Sequence, residues 1–123
     1  MIVTLKHRQH SRFWLGAQEE KISGLNVTVP FKKDVIPFLD ELSLEATKTQ
    51  SVNTIYSKNN KIIGHNTDIK GFELNIKQIN FDVDGKNIFI LGAGGVVPSI
   101  IFALNKMGAS SIIVSNRTKN KAE

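Results

Sequence analysis

The sequence predicts an α/β chain: a mixed region of short strands and helices, then a single βαβ unit. Three patterns carry this. Apolar and polar residues alternate over Leu25–Val29, as in a half-buried strand. Ile69, Phe72, Ile76 and Ile79 recur at steps of three and four, as on one face of a helix. An apolar run, Asn87–Leu91, passes directly into Gly92-Ala93-Gly94-Gly95 and then into helical sequence.

Composition bounds the reading. The chain has 123 residues, 41% apolar and 22% charged, enough apolar material for a packed core. It has no cysteine, which excludes disulfides, thiolate nucleophiles and Cys-ligated metal clusters. No apolar run is long enough to span a bilayer. The first twenty residues carry Lys6, Arg8 and Arg12 with no long apolar run, so they do not read as a secretory leader. A cytoplasmic protein is expected. The net charge is +5, of which +4 falls in residues 1–33 and +1 in residues 34–123. The body of the chain therefore lacks a sustained basic face, and neither nucleic acid nor a membrane is an expected partner. An anionic small ligand suits the charge equally well.

Taken in order, the elements are these. Met1–Leu5 reads as a short strand and Glu19–Ile22 as the end of a helix. Leu25–Val29 is a strand stopped by Pro30, which cannot donate to a ladder. Phe31–Leu42 reads as a short helix with Val35, Phe38, Leu39 and Leu42 on one face. Ser43 is a candidate N-cap for a further helical turn or two, Leu44–Lys48. Ser51–Ser57 and Lys61–Asn66 form a hairpin through Lys58-Asn59-Asn60. Asp68 caps a helix reaching about Asn80. Asp82-Val83-Asp84-Gly85 is a turn and a candidate domain boundary. Asn87–Leu91 is a strand expected to be buried on both faces. A helix from about Val96 to Met107 ends at Gly108, and Ser111–Ser115 is a second buried strand.

The strand–glycine–helix order gathers backbone N–H groups and a helix N-terminus at one point, an anion site matched to a pyrophosphate. The pattern is that of a Rossmann-like nucleotide-binding unit. Gly92 permits the tight turn and Gly94 a close approach of phosphate to backbone. The third small residue of such loops is replaced by Val97, which implies looser helix–strand packing. After the second strand comes Asn116-Arg117-Thr118, where an NAD site would have a carboxylate. Arg117 suits a 2′-phosphate and Thr118 a hydrogen bond to it, so the reading is NADP. The alternative is that Arg117 is a solvated loop residue.

Other polar groups stand in unusual company: Asn26 and Thr28 on one strand, Lys32 after Pro30-Phe31, Asn53-Thr54 opening the hairpin and Asn66-Thr67-Asp68 closing it. If the strands are adjacent, Lys32 and Asp68 meet in a cleft facing the glycine loop. A Lys–Asp pair suits proton transfer coupled to hydride transfer, because the carboxylate aims an ammonium at a carbonyl being reduced. The commoner reading of such residues is a surface lysine and a helix cap.

The strings Asn26-Val27-Thr28-Val29-Pro30-Phe31-Lys32, Ser51-Val52-Asn53-Thr54, Gly64-His65-Asn66-Thr67-Asp68-Ile69-Lys70-Gly71-Phe72, Leu91-Gly92-Ala93-Gly94-Gly95 and Asn116-Arg117-Thr118 closely resemble the shikimate dehydrogenase family, in order and spacing, over residues 22–123. The resemblance implies NADPH-dependent reduction of 3-dehydroshikimate to shikimate, on the route to chorismate and the aromatic amino acids. It implies Lys32 and Asp68 as the acid–base dyad and Thr28, Asn53 and Asp68 as substrate contacts. It also implies that Gly92, Ala93, Gly94, Gly95 and Val96 hold the pyrophosphate and that Asn116, Arg117, Thr118 and Lys121 hold the 2′-phosphate of NADP(H). Three parts follow: a divergent segment 1–21, a partial substrate-binding and catalytic domain 22–82, and a partial NADP-binding domain 83–123.

The family's Ser-x-Ser grip on the substrate carboxylate has no counterpart. His10-Ser11-Arg12-Phe13 is the nearest string, and it lies too close to Asn26. His65 reads as a strand-end residue. His7 and His10 lack a third ligand, so no metal is expected. Trp14 and Phe13 read as packing residues. The chain reads as a fragment with little activity of its own, because one βαβ unit leaves open edges and an uncovered face. Two other functions remain: a non-catalytic NADP- or shikimate-binding module, and a quinate/shikimate dehydrogenase, whose NAD-using form predicts an acidic residue after Ser115.

Overall fold

The computed structural model describes residues 23–117, so the strand expected at Met1–Leu5 and the helix end at Glu19–Ile22 lie outside the described residues. Two sheets make up the fold. Strands β1 (Gly24–Asn26), β2 (Glu41–Leu42), β3 (Thr54–Lys58) and β4 (Lys61–His65) form one, in the order β1-β3-β4-β2. Strands β5 (Asn87–Leu91) and β6 (Ser111–Ser115) form the other and run parallel, with Asn87 opposite Ser111 and Leu91 opposite Ser115. Helix α1 (Leu44–Thr49) follows β2, α2 (Asp68–Gln78) follows β4, and α3 (Val97–Lys106) crosses from β5 to β6.

The hairpin forms where expected. Asn59 and Asn60 both sit in the left-handed region, at φ 52° and 56°, the pairing that lets a two-residue turn match the twist of its strands. Its first strand begins at Thr54 rather than Ser51, and its second ends at His65. Ser43 caps α1 as its residue type implies, its Oγ accepting from the Ala46 N–H at 3.1 Å. Gly108 follows α3 at φ 87°.

Three expectations are corrected. The strand at Leu25–Val29 is shorter: β1 ends at Asn26, and the Phe31 N–H closes a turn onto the Thr28 carbonyl at 2.9 Å. The segment Phe31–Leu42 is not a helix. It is a run of turns with a 3₁₀ turn at Ile36–Phe38, and then β2. Pro37 lacks the N–H that a continuing helix needs and biases Ile36 away from helical geometry. Asp40 meanwhile binds β4 twice: its N–H donates to the Ile62 carbonyl at 2.9 Å, and its Oδ2 accepts from the Ile62 N–H at 2.7 Å. Extended pairing wins over helical periodicity there. The third correction concerns β5 and β6, expected to be buried on both faces. Only one face is covered, and Phe89, Leu91 and Ile113 are exposed by 59%, 81% and 60%.

The core lies under the four-stranded sheet. Val27, Val35, Ala46, Val52, Ile55 and Ile62 are buried together, with Leu25, Phe31, Ile36, Leu39 and Leu42 packed around them. A second apolar layer joins α2 to α3, with Ile69, Val97, Ala103 and Leu104 buried. Val97 is 8% exposed. On α2, Ile69 is buried and Phe72 and Ile76 half-buried, whereas Ile79 lies past the end of the helix and is exposed.

Candidate active site

The site is assembled at the ends of strands. The Val27–Lys32 loop is tied to the start of β3 at both ends: the Val27 N–H donates to the Asn53 carbonyl at 2.8 Å, and the Val52 N–H to the Lys32 carbonyl at 2.8 Å. The Asn53 N–H extends the hairpin ladder by bonding to the His65 carbonyl at 3.1 Å. Lys32, Asn53 and the residues that leave β4 are thereby brought to one point. Thirty-six positions apart in sequence, Lys32 Nζ and Asp68 Oδ2 are 2.7 Å apart. Their side chains are 14% and 22% exposed, so the pair is largely but not wholly screened from water.

Asn53 completes the cluster. Its Nδ2 donates to Asp68 Oδ1 and to Thr67 Oγ1, each at 2.9 Å, and its Oδ1 accepts from the Thr67 N–H at 2.9 Å. Asp68 thus has one oxygen on an ammonium and the other on an amide, which fixes the carboxylate plane. Asp68 occupies the first turn of α2, where a negative charge is favoured by the helix dipole. It does not cap the helix with its own side chain, as expected above. That part falls to Asn66, whose Oδ1 accepts from the Asp68 N–H at 3.0 Å. Thr28 is exposed in the turn before Lys32, outside this network of bonds.

The glycine loop lies beside this cluster. Gly92 takes φ 104°, and its N–H donates to the Ser115 carbonyl at 2.7 Å, so the residues after β6 emerge next to the loop. Arg117 is exposed there, and Thr118 and Lys121 lie outside the described residues. Gly95 is packed under Val29: a Cβ on Gly95 would stand 2.7 Å from Val29 Cγ1. A Cβ on Gly94 would meet nothing within 4 Å, so open space fronts the loop. The first turn of α3 has few amides to offer, since the Val97 and Ser99 N–H groups bond the Gly94 and Val96 carbonyls at 3.0 Å and Pro98 has none. That space, the backbone amides of the glycine loop itself and the Arg117 side chain fit a dinucleotide phosphate. Gly92, Ala93, Gly94, Gly95 and Val96 are the loop residues available to hold it, with Asn116 and Arg117 at its edge. A groove of about 440 Å³ borders the loop between the end of α1 and α3, lined by Thr49, Ala93, Gly94, Val97 and Val114 among others.

Residues 2–55 match the family model described as the shikimate dehydrogenase substrate binding domain. Shikimate dehydrogenase (NADP(+)) from Pelagibacter ubique (strain HTCC1062) is 56% identical over 118 residues, which are 96% of this chain and 44% of that protein. Over nearly its whole length the chain is similar to shikimate dehydrogenases. The match reaches residue 2, so the likeness extends beyond the motif-bearing stretch 22–123 into the segment expected to be divergent.

Solved members of the family share the fold. Shikimate dehydrogenase from Aquifex aeolicus superimposes with a TM-score of 0.87 at 40% identity, over 96% of this chain and 44% of that one. Shikimate 5-dehydrogenase from Thermus thermophilus, solved with NADP(H) and shikimate, gives a TM-score of 0.82 at 30% identity, over 96% of this chain and 44% of that one. The chain spans about 44% of the length of the Pelagibacter and Aquifex relatives it matches. Among the described residues, no helix is long and apolar enough to cross a membrane.

Of the residues singled out from sequence, Lys32, Asn53 and Asp68 come together, and Gly92–Val96 and Arg117 form a neighbouring group. Asn66 and Thr67 stand out in the sequence as polar residues closing the hairpin but without a role, although an Asn two residues before a helical Asp is itself a signal for a side-chain cap. Ser99, which bonds Asn66, carried no sequence signal.

Proposed function

We propose that this chain supplies the substrate-binding part and the first nucleotide-binding unit of an NADP-dependent shikimate dehydrogenase of the cytoplasm, with the two parts meeting near Val83. The observation that carries the reading is the 2.7 Å contact between Lys32 Nζ and Asp68 Oδ2, beside a glycine loop open to solvent. The substrate is 3-dehydroshikimate and the product shikimate.

Lys32 donates a proton from Nζ to the carbonyl oxygen under reduction. Gly92, Ala93, Gly94, Gly95 and Val96 would hold NADPH, which when bound would furnish the hydride for the carbonyl carbon. The two together make the hydroxyl of the product and leave Lys32 neutral, to be reprotonated from solvent. Asp68 fixes the direction of the Nζ–H donors through its Oδ2 and presents the rest of its carboxylate to the substrate. Both Asn53 amide donors are already engaged by Asp68 and Thr67. Its first effect is to hold Asp68, and a substrate hydroxyl competes for one of those donors. Thr28 supplies a further hydroxyl at the rim. Arg117, with Thr118 and Lys121, selects the 2′-phosphate, as a guanidinium binds a phosphate in bidentate fashion.

A chimera tests the reading. The aligned region of the Pelagibacter relative is replaced by this chain, and loss of NADPH absorbance is followed with 3-dehydroshikimate. Turnover comparable to the parent enzyme is expected, with NADPH preferred to NADH by at least about tenfold, the scale of one charge-assisted contact. No turnover from a folded chimera would overturn the proposal. Preference for quinate with NAD would replace it with the quinate reading.

A further inference from the structure

Asn66 is 1% exposed and takes part in four hydrogen-bonding contacts that link four elements. Its Oδ1 accepts from the Asp68 N–H, at 3.0 Å, across the turn from β4 into α2. Its Nδ2 lies 2.9 Å from Ser99 Oγ in α3, 3.0 Å from the Ser51 carbonyl before β3, and 3.1 Å from Thr49 Oγ1 at the end of α1. An amide has two N–H donors, so three acceptors share them. Ser99 is fully buried and lies in the first turn of the helix that starts at the glycine loop.

The geometry points to Asn66 as a positioning residue for the dyad, fixing Asp68 through its backbone N–H and referencing it to the glycine-loop helix through Ser99. This rests on the reading above that Lys32 and Asp68 transfer the proton. The physical argument is one of stiffness. The Asp68 carboxylate is aimed at Lys32 only if the first turn of α2 is fixed, and Thr67, at the N-cap position, makes no side-chain capping bond. Asn66 supplies that bond and is itself unable to rotate, because its other end is held by α3. A buried amide left with unmet acceptors is costly, so the network persists as a unit. The same bond sets where Asp68 stands relative to the loop that would present the cofactor. Asp68 is also a substrate contact in that reading, so a carboxylate moved from its place loses its hold on both Lys32 and shikimate, and affinity reports its position.

The test uses the full 123-residue chain with Asn66→Ala, Ser99→Ala and, as a control for loss of stability alone, Val83→Ala, which removes buried apolar volume away from the dyad. Two readouts are taken well below each variant's melting temperature: the ¹⁵N NMR signal of the Lys32 ammonium, which persists when Nζ is held by a carboxylate and screened from water, and the dissociation constant for shikimate. Asn66→Ala is expected to erase the ammonium signal and weaken shikimate binding about tenfold or more, and Ser99→Ala to weaken binding about threefold. Val83→Ala is expected to lower the melting temperature with both readouts unchanged. Should Asn66→Ala not fold, Ser99→Ala decides alone. An unchanged ammonium signal and unchanged affinity in the folded Asn and Ser variants would overturn the inference. A wild-type chain that shows the ammonium signal but does not bind shikimate would instead overturn the functional reading.

Discussion

The two sheets of this molecule are finished to different degrees. The four-stranded sheet has a closed apolar core beneath it, and the strand ends that carry Lys32, Asn53 and Asp68 are bonded to one another through both backbone and side chains. The two-stranded sheet is covered by α3 on one side and carries Phe89, Leu91 and Ile113 bare on the other. The lesson is that acid–base geometry and nucleotide geometry make different demands. In the proposed reading Lys32 and Asp68 are a proton-transfer pair, which needs its donors fixed to a fraction of an ångström, and the bonds that fix them are all made within this chain. A phosphate cradle needs only a glycine turn and a helix end, which one βαβ unit already provides.

The contrast can be broken by substitution. Ile55→Ala, in the core beneath the site, is expected to cost about 3 kcal/mol in urea unfolding, the scale for emptying a well-packed position. The same experiment on Ile113→Ser is expected to change stability by less than about 0.5 kcal/mol, because that side chain already faces water. Equal costs would mean that the open face is covered in solution.

Between these extremes lies the ion pair that ties the two regions together. Glu73 of α2 is buried, and Lys106 of α3 places its Nζ 2.9 Å from Glu73 Oε1, with Lys70 at 3.7 Å from the other oxygen. The Lys106 ammonium is the main cause holding the Glu73 carboxyl below its usual value of 4.5, against burial, which pushes it up. A carboxylate that ionises more readily folded than unfolded adds stability that is complete above about pH 4.5 and drains away as the pH falls through its lower folded value. Lys106→Met is expected to cost about 2 kcal/mol near neutral pH. It should also flatten the acid side of the stability profile, measured as the urea midpoint against pH. An unchanged acid slope would remove Glu73 from the account.

Much of this was legible in the sequence, for identifiable reasons. The hairpin, α1 with its Ser43 cap, α2, and the βαβ unit all have local signals that agree with their tertiary surroundings. Lys32 and Asp68 were legible only as a conditional pair, since nothing local states that two strand ends 36 positions apart converge. The segment Phe31–Leu42 misled because its apolar spacing fits a helix while Pro37 and the pairing of Asp40 with Ile62 prevent one. The bare face of β5 and β6 misled because a continuous apolar run signals burial of both faces whether or not the covering elements are among the residues in view. The Asn66–Ser99 bond was invisible, because a buried serine in an apolar helix has no pattern of its own.

The central claim is that Lys32 and Asp68 act as one proton-transfer unit. Its most direct test is the kinetics of Lys32→Ala and Asp68→Asn in the chimera, with 3-dehydroshikimate and NADPH. Each substitution is expected to lower kcat by about 10³-fold, in the range for a lost general acid, with KM changed far less, and the double variant to be no worse than the poorer single one. Single variants that keep kcat within a few-fold of the parent, or losses that multiply in the double, would contradict it.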